Sequence, residues 1–100
     1  DAQANVIGGD TTAERNVISG NDGYGVLIAG SGTMSNTISG NYIGTDASGS
    51  VDLGNVGCGV WIVGGAQANV IGGDTVGERN IIAFNDLDGV LVDGATTGNT

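Results

Sequence analysis

The chain has 100 residues, including 21 glycines and 11 acidic residues, and its two arginines are the only basic side chains, so its net charge is −9. This charge argues against nucleic acid and anionic membrane surfaces as partners, because both are bound through Lys and Arg. No apolar run approaches the ~20 residues that cross a bilayer. The length predicts one domain over residues 1–100. Cys58 is the single cysteine, which we expect at a buried or corner position without a disulfide.

The sequence repeats itself at two periods. Residues 66–94 match residues 2–30 at 20 of 29 positions. A shorter period of about 31 residues is marked by an Asn-x-Ile-x-Gly motif at 5–9, 36–40 and 69–73. Repeats of this kind stack, and each buries its apolar face against its neighbours. We therefore predict about three coils, at 5–35, 36–68 and 69–98, and expect them to be a fragment of a longer repeat array because the chain begins and ends within the motif.

Each coil contains three short segments rich in Val and Ile and bounded by Gly, Asn, Asp or Ser, which is typical of β-strands. They lie at 5–9, 16–20 and 25–28, at 36–40, 41–44 and 59–62, and at 69–73, 80–84 and 89–92. No segment has helical spacing of apolar residues over eleven or more positions. The prediction is an all-β fold, a three-sided parallel β-helix. Alternation then places equivalent residues in inward columns, such as Ile7, Ile38 and Ile71.

Recurrent asparagines are expected at the corners between these strands. One corner carries Asn5, Asn36 and Asn69, and another carries Asn16, Asn41 and Asn80. Identical amides on successive coils can form hydrogen-bonded ladders. We therefore assign these asparagines a structural role.

The middle coil departs from the repeat in an excursion from Thr45 to Gly57. Loops on a rigid scaffold often carry function. Asp46 and Asp52 supply carboxylates there, and oxygen ligands suit calcium. We expect a solvated acidic loop with no cofactor, with calcium binding as the alternative.

Alternation also predicts outward apolar columns, because successive strand residues face opposite sides. Leu27, Trp61 and Leu91 form one, and Tyr42 lies in another. Exposed apolar surface marks interaction sites. Three interpretations of these columns remain. In the first, their residues serve only the β-propensity of the strands; in the second, they are buried against a neighbouring copy or subunit; in the third, Trp61 and Tyr42 stack on sugar rings.

Paired carboxylates are the candidates for catalysis. Glu14 and Glu78, like Asp10 and Asp74, are equivalent positions two coils apart, which places them roughly 9–10 Å from each other. This is near the upper limit for an inverting glycosidase. As copies of one turn, however, they are expected to pair locally with Arg15 or Arg79. We therefore predict no catalytic residues and no enzyme.

Two stretches carry a resemblance to known proteins: NTISGNYIGTDASGSVDLGN followed by GVWI, and NVIGG, ERNVISGN and GVLI in succession. They resemble parallel β-helix repeats of large secreted and surface-anchored bacterial proteins. The resemblance implies a right-handed helix, in agreement with the usual hand of parallel crossovers, and an extracellular or cell-surface location. That family includes structural, adhesin-like and carbohydrate-active members, so the fold does not settle the activity.

The function predicted from these features is a non-catalytic structural scaffold. Its partners would be other copies or neighbouring repeats, joined end to end or laterally into fibres or a surface layer. The first alternative is a carbohydrate-binding or polysaccharide-cleaving protein, which as an enzyme would be a polysaccharide lyase or glycoside hydrolase. The second is an adhesin-like surface that binds a protein. Neither nucleic acid nor membrane insertion is expected.

Overall fold

A computed structural model describes all 100 residues and contains three parallel sheets of three strands each. Sheet 1 consists of β1 (Val6–Gly8), β4 (Thr37–Ser39) and β7 (Val70–Ile71). Sheet 2 consists of β2 (Val17–Ile18), β5 (Tyr42–Ile43) and β8 (Ile81–Ile82). Sheet 3 consists of β3 (Val26–Ala29), β6 (Val60–Val63) and β9 (Val90–Val92). The prediction of a three-sided parallel β-helix is confirmed.

The register places like residues over like. Ile7 pairs with Ile38 and Ile38 with Ile71 in sheet 1. The same holds in the other two sheets, for the columns Ile18–Ile43–Ile82 and Ile28–Ile62–Val92. The strands are shorter than predicted, because the flanking Asn and Gly residues form the corners rather than continuing the sheet.

The core lies in the middle coil. Ile38, Ile43, Val60 and Ile62 are completely buried. In sheet 3 their first-coil equivalents Val26 and Ile28 are also buried, whereas Val90 in the last coil is 44% exposed. Ile7 and Ile71 are half-buried and pack against the core from either side. Apolar side chains are thus most completely buried in the middle coil, which has a coil on each side, and in sheet 3 they are most exposed in the last coil.

The principal extents of the molecule are 35, 27 and 17 Å. No helix is long and apolar enough to span a membrane. The helical segments are two 3-10 turns, Thr12–Glu14 and Val76–Glu78.

Candidate functional site

Asparagine side chains join the coils at the corner before sheet 1. The backbone N–H and Nδ2 of Asn5 both donate to Oδ1 of Asn36 at 3.0 Å. Asn36 donates in the same way to Asn69, and Asn69 to Asn99 at 2.9 and 3.0 Å. With the first coil taken as the top, each of these amide oxygens accepts two hydrogen bonds from the asparagine in the coil above it. The ladder therefore has a direction, because the upper asparagine always donates and the lower one always accepts.

A second ladder stands at the corner before sheet 2, and its middle amide is completely satisfied. Asn41 has no exposed surface. Its Oδ1 accepts two hydrogen bonds from Asn16 at 3.1 Å. Its Nδ2 donates to the carbonyl oxygen of Ile7 at 2.8 Å and to Oδ1 of Asn80 at 3.3 Å. This arrangement makes a buried amide compatible with an apolar interior.

A third ladder, which the sequence interpretation missed, precedes sheet 3. The backbone N–H and Nδ2 of Asn21 donate to Oδ1 of Asn55 at 3.1 and 2.8 Å. Asn55 donates in turn to Asn85 at 3.2 and 2.8 Å. The available signal was the Asn-Asp pair at 21–22 and 85–86, which the 64-residue repeat conserves in place. Asn55 was instead assigned to the excursion, so its equivalence to Asn21 and Asn85 was overlooked.

The excursion is therefore shorter than predicted, because Asn55–Gly57 belongs to the repeated corner. The chain leaves the coil through a small hairpin in which Thr45 and Asp52 form an antiparallel bridge. Oδ1 of Asp46 accepts hydrogen bonds from the hydroxyl and backbone N–H of Ser48 and from the N–H of Val51. The Ser48 hydroxyl is the main cause of the lowered pKa of Asp46. This carboxylate stabilises the hairpin.

The proposed calcium ligands lie at the two sides of this hairpin. Oδ1 of Asp52 accepts the N–H of Gly54 at 3.0 Å, so it also has a local structural role. No three Asp, Glu, Cys or His side chains are grouped as a metal site. Calcium binding by Asp46 and Asp52 stays a prediction.

The carboxylates of Glu14 and Glu78 cap turns, and the predicted local ion pairs with arginine are wrong. Glu14 Oε2 accepts the backbone N–H groups of Asp10 and Thr11 at 3.1 Å and the Thr11 hydroxyl at 2.9 Å. Glu78 likewise accepts two backbone N–H groups at 2.9 Å. Arg15 turns away: its Nε donates to the Gly40 carbonyl at 3.2 Å. The capping hydrogen bonds stabilise the turn more than an ion pair with arginine would, because an exposed ion pair contributes little to stability.

These capping bonds predict an acid-dependent loss of stability. The pKa of Glu14 is lowered, chiefly by the Thr11 hydroxyl, and the pKa of Glu78 is lowered, chiefly by the Thr75 backbone N–H. A lowered folded-state pKa favours folding above the unfolded value of about 4.3, and the benefit disappears as pH falls through the folded pKa. Urea unfolding measured between pH 6 and pH 3 should show that the free energy of unfolding falls less for a Glu14→Gln/Glu78→Gln variant than for the wild type. Equal losses in both proteins would contradict this assignment.

The outward column Leu27–Trp61–Leu91 is in register on sheet 3. Leu27 is 51% exposed, whereas Trp61 is half-buried. Tyr24, a residue that the sequence interpretation did not select, packs edge-on against Trp61 with ring centroids 4.8 Å apart. The Trp61 indole N–H is buried and has no hydrogen-bond acceptor. Trp61 therefore belongs to an aromatic pair with Tyr24.

Tyr42 lies on a different sheet from this pair. The Arg15 guanidinium carbon sits 4.1 Å from the centre of its ring, in a cation–π arrangement. Tyr42 is half-buried. The structure therefore does not bring Tyr42 and Trp61 together as one aromatic platform.

The two open ends of the helix are concave and partly apolar. At the first coil a cavity of about 410 Å³ is lined by Ile7, Val26 and Ile28 among others. At the last coil a cavity of about 280 Å³ is lined by Ile71, Val90 and Val92 among others. Val26 and Ile28 are nevertheless buried, whereas Val90 and Val92 are about half exposed. The two ends therefore differ in the apolar surface that they present.

The resemblance to bacterial repeat proteins stays a prediction. Comparison with known proteins gives no match, whether to a protein-family model, a curated protein or a solved structure.

Proposed function

We propose that this chain is a non-catalytic structural scaffold, a β-solenoid element whose recurrent residues serve to stack coil on coil. The three directional asparagine ladders are the observation that supports this most strongly. Their middle members Asn36, Asn41 and Asn55 are buried and donate to the coil below. The residues that the repeat retains are thus the ones that join coils.

The roles of the acidic residues agree with this proposal. Glu14 and Glu78 each cap a turn, and Asp46 stabilises the hairpin. The net charge of −9 favours the solubility of a protein that carries outward columns of apolar side chains. An extracellular or cell-surface location forms part of the proposal and rests on the resemblance to surface repeat proteins.

A second candidate is carbohydrate binding, and the Tyr24–Trp61 pair is the observation that favours it. Tyr24 is exposed, and it precedes β3, the strand that carries the exposed Leu27. Aromatic faces with adjacent apolar surface can contact sugar rings. Because the chain is strongly acidic, a neutral polysaccharide fits this surface better than pectate or alginate.

Affinity electrophoresis in gels containing neutral or acidic polysaccharides separates the two candidates. The scaffold proposal predicts unchanged migration of the wild type in all of them, together with slow cleavage by proteases, because backbone hydrogen bonds join each coil to the next. Retardation that disappears in Trp61→Ala but persists in the same-face control Leu91→Ala would establish the carbohydrate alternative. Retardation independent of Trp61 would also overturn the scaffold proposal.

A further inference from the structure

The corner between sheet 2 and sheet 3 carries exposed apolar side chains that the scaffold role does not use. Leu53 and Val56 belong to the middle coil and are 48% and 52% exposed, although a coil lies on each side of them. Phe84 and Leu87 occupy the same corner of the last coil and are 47% and 63% exposed. We call these four residues the apolar corner. Clusters of exposed apolar side chains mark interaction sites.

Backbone contacts place the members of the apolar corner side by side on neighbouring coils. The Leu87 N–H donates to the carbonyl oxygen of the residue that follows Val56, at 3.4 Å. A Cβ on the glycine that follows Leu53 would overlap the carbonyl oxygen of Phe84. The second and third coils therefore present their exposed apolar side chains on one surface.

Phe84 has a backbone conformation that disfavours a bulky side chain. Its φ is +63°, in the left-handed region. The 64-residue repeat places Gly20 at the equivalent position, with φ of +68°. The other non-glycine residues with positive φ are all small: Ala4, Ser35, Ala68 and Ala95. An aromatic residue at a strained position that glycine fills in the first coil points to a function for its side chain.

The side chains of Phe84 and Leu87 point away from the stack of coils. A Cβ on Gly20, which lies above the middle coil, would meet nothing within 4 Å. The same is true of Gly23, the equivalent of Leu87. Since a coil lies below Gly20 and a coil lies above Phe84, stacking in neither direction covers this position. The exposure of these side chains is therefore a property of the corner itself.

Carboxylates surround the apolar corner. Asp22 and Asp86 occupy, in the coils above and below, the position that Val56 occupies in the middle coil, directly after the ladder asparagine. Asp52 and Asp88 are sequence neighbours of two other members of the apolar corner. All four aspartate side chains are exposed. The corner is thus an apolar surface with a negative border.

This corner carries no basic side chain. Both arginines precede sheet 2, at the previous corner, where Arg15 donates to the Gly40 carbonyl and lies over the Tyr42 ring. Carboxylates around an apolar surface favour a partner with cationic groups around an apolar centre, and they repel an acidic one. A second copy of this chain, with its net charge of −9, is therefore disfavoured, as is an anionic membrane surface.

We propose that the apolar corner binds a cationic amphipathic segment of another protein, in which Lys or Arg side chains flank Leu or Phe side chains. The apolar side chains of this segment cover Phe84, Leu53 and Val56, and its cations face the surrounding aspartates. Binding at this corner is additional to the scaffold role and does not depend on it.

Phe84→Gly is the principal test, because Gly20 shows that the fold accepts glycine at this position and because the net charge does not change. The probe is a synthetic peptide in which Lys and Leu alternate, titrated into the full chain by isothermal titration calorimetry. The wild type should bind it. Phe84→Gly should bind at least about tenfold more weakly, as expected for the loss of a buried aromatic anchor, and its melting temperature should stay close to that of the wild type.

Matched variants separate the apolar contact from the charge. Leu87→Ser should also weaken binding, and it decides the matter should Phe84→Gly lower the melting temperature. Asp86→Asn should weaken binding, whereas Asp93→Asn, the same change of charge directly after sheet 3, should bind like the wild type. A control peptide with Glu in place of Lys should not bind.

Four results would overturn the proposal. They are no binding by the wild type, equal binding by Phe84→Gly and Leu87→Ser, binding of the Glu peptide, and equal weakening by Asp86→Asn and Asp93→Asn. Self-association of the wild type in sedimentation velocity that is lost in Phe84→Gly would also overturn it, because the occupant would then be a second copy. None of these results alters the polysaccharide experiment, which tests the scaffold proposal separately.

Discussion

Gly44→Ala should prevent the third coil from stacking and should lower the free energy of unfolding by at least about 4 kcal/mol. Gly44 has φ of +98°, and a Cβ there would overlap the Ala83 carbonyl oxygen and lie 2.7 Å from Oδ1 of Asn85. The substitution therefore combines backbone strain with a collision between two coils. A loss of this size approaches the whole stability of a small domain, so circular dichroism should show a largely unfolded chain.

Gly72→Ala is the matched control for this prediction. Gly72 has nearly the same φ, +103°, but a Cβ would meet nothing within 4 Å. Only backbone strain remains, which costs about 1–3 kcal/mol. Urea unfolding of both variants measures how much more Gly44→Ala destabilises the chain than Gly72→Ala does. This difference in the free energy of unfolding reports the close approach of the second and third coils. Equal destabilisation by the two substitutions would show that the coils are not this close at Gly44.

Asn41→Leu should destabilise the chain by on the order of 3 kcal/mol or more, although leucine has the same branched shape as asparagine and is more apolar. The substitution removes the acceptor for two donors of Asn16 and the donor to the Ile7 carbonyl. It also removes the bond to Asn80 Oδ1. Buried groups that lose their partners without access to water account for the cost.

Asn21→Leu provides the comparison, because Asn21 is exposed in the first coil and water can replace its lost bonds. We expect a loss of about 0.5–1.5 kcal/mol for this variant, the usual net value of a hydrogen bond. Urea denaturation of both variants provides the measurement. A loss for Asn41→Leu no larger than that for Asn21→Leu would mean that the buried ladder contributes nothing beyond an exposed one.

The stacking register could be predicted because two independent patterns agree. The repeated Asn-x-Ile-x-Gly motif aligns Ile7, Ile38 and Ile71, and period-2 alternation places their side chains on one face. The strand ends were less predictable, because Asn and Gly serve equally as strand residues and as corner residues. The third ladder was hidden by the hairpin insertion, which changes the spacing from Asn41 to Asn55 relative to that from Asn16 to Asn21.

The roles of individual polar side chains could not be obtained from spacing alone. Adjacent Glu14 and Arg15 suggest an ion pair, but a Thr-x-x-Glu sequence at Thr11 also matches a capping box, and the short backbone bonds decide between the two. Arg15 is thereby left for Tyr42, a contact between coils that depends on the three-dimensional register. Tyr24 was overlooked for the same reason, since its contact with Trp61 joins different coils.

The ordering of the coils is tested most directly by nuclear Overhauser effects among isoleucine δ1 methyl groups in the labelled full chain. In-register stacking about 4.8 Å apart predicts that the Ile38 methyl shows cross-peaks to both Ile7 and Ile71, and the Ile43 methyl to both Ile18 and Ile82. Absence of contact between Ile38 and its two column neighbours would contradict the stacked β-helix on which the asparagine ladders and the proposed scaffold function depend.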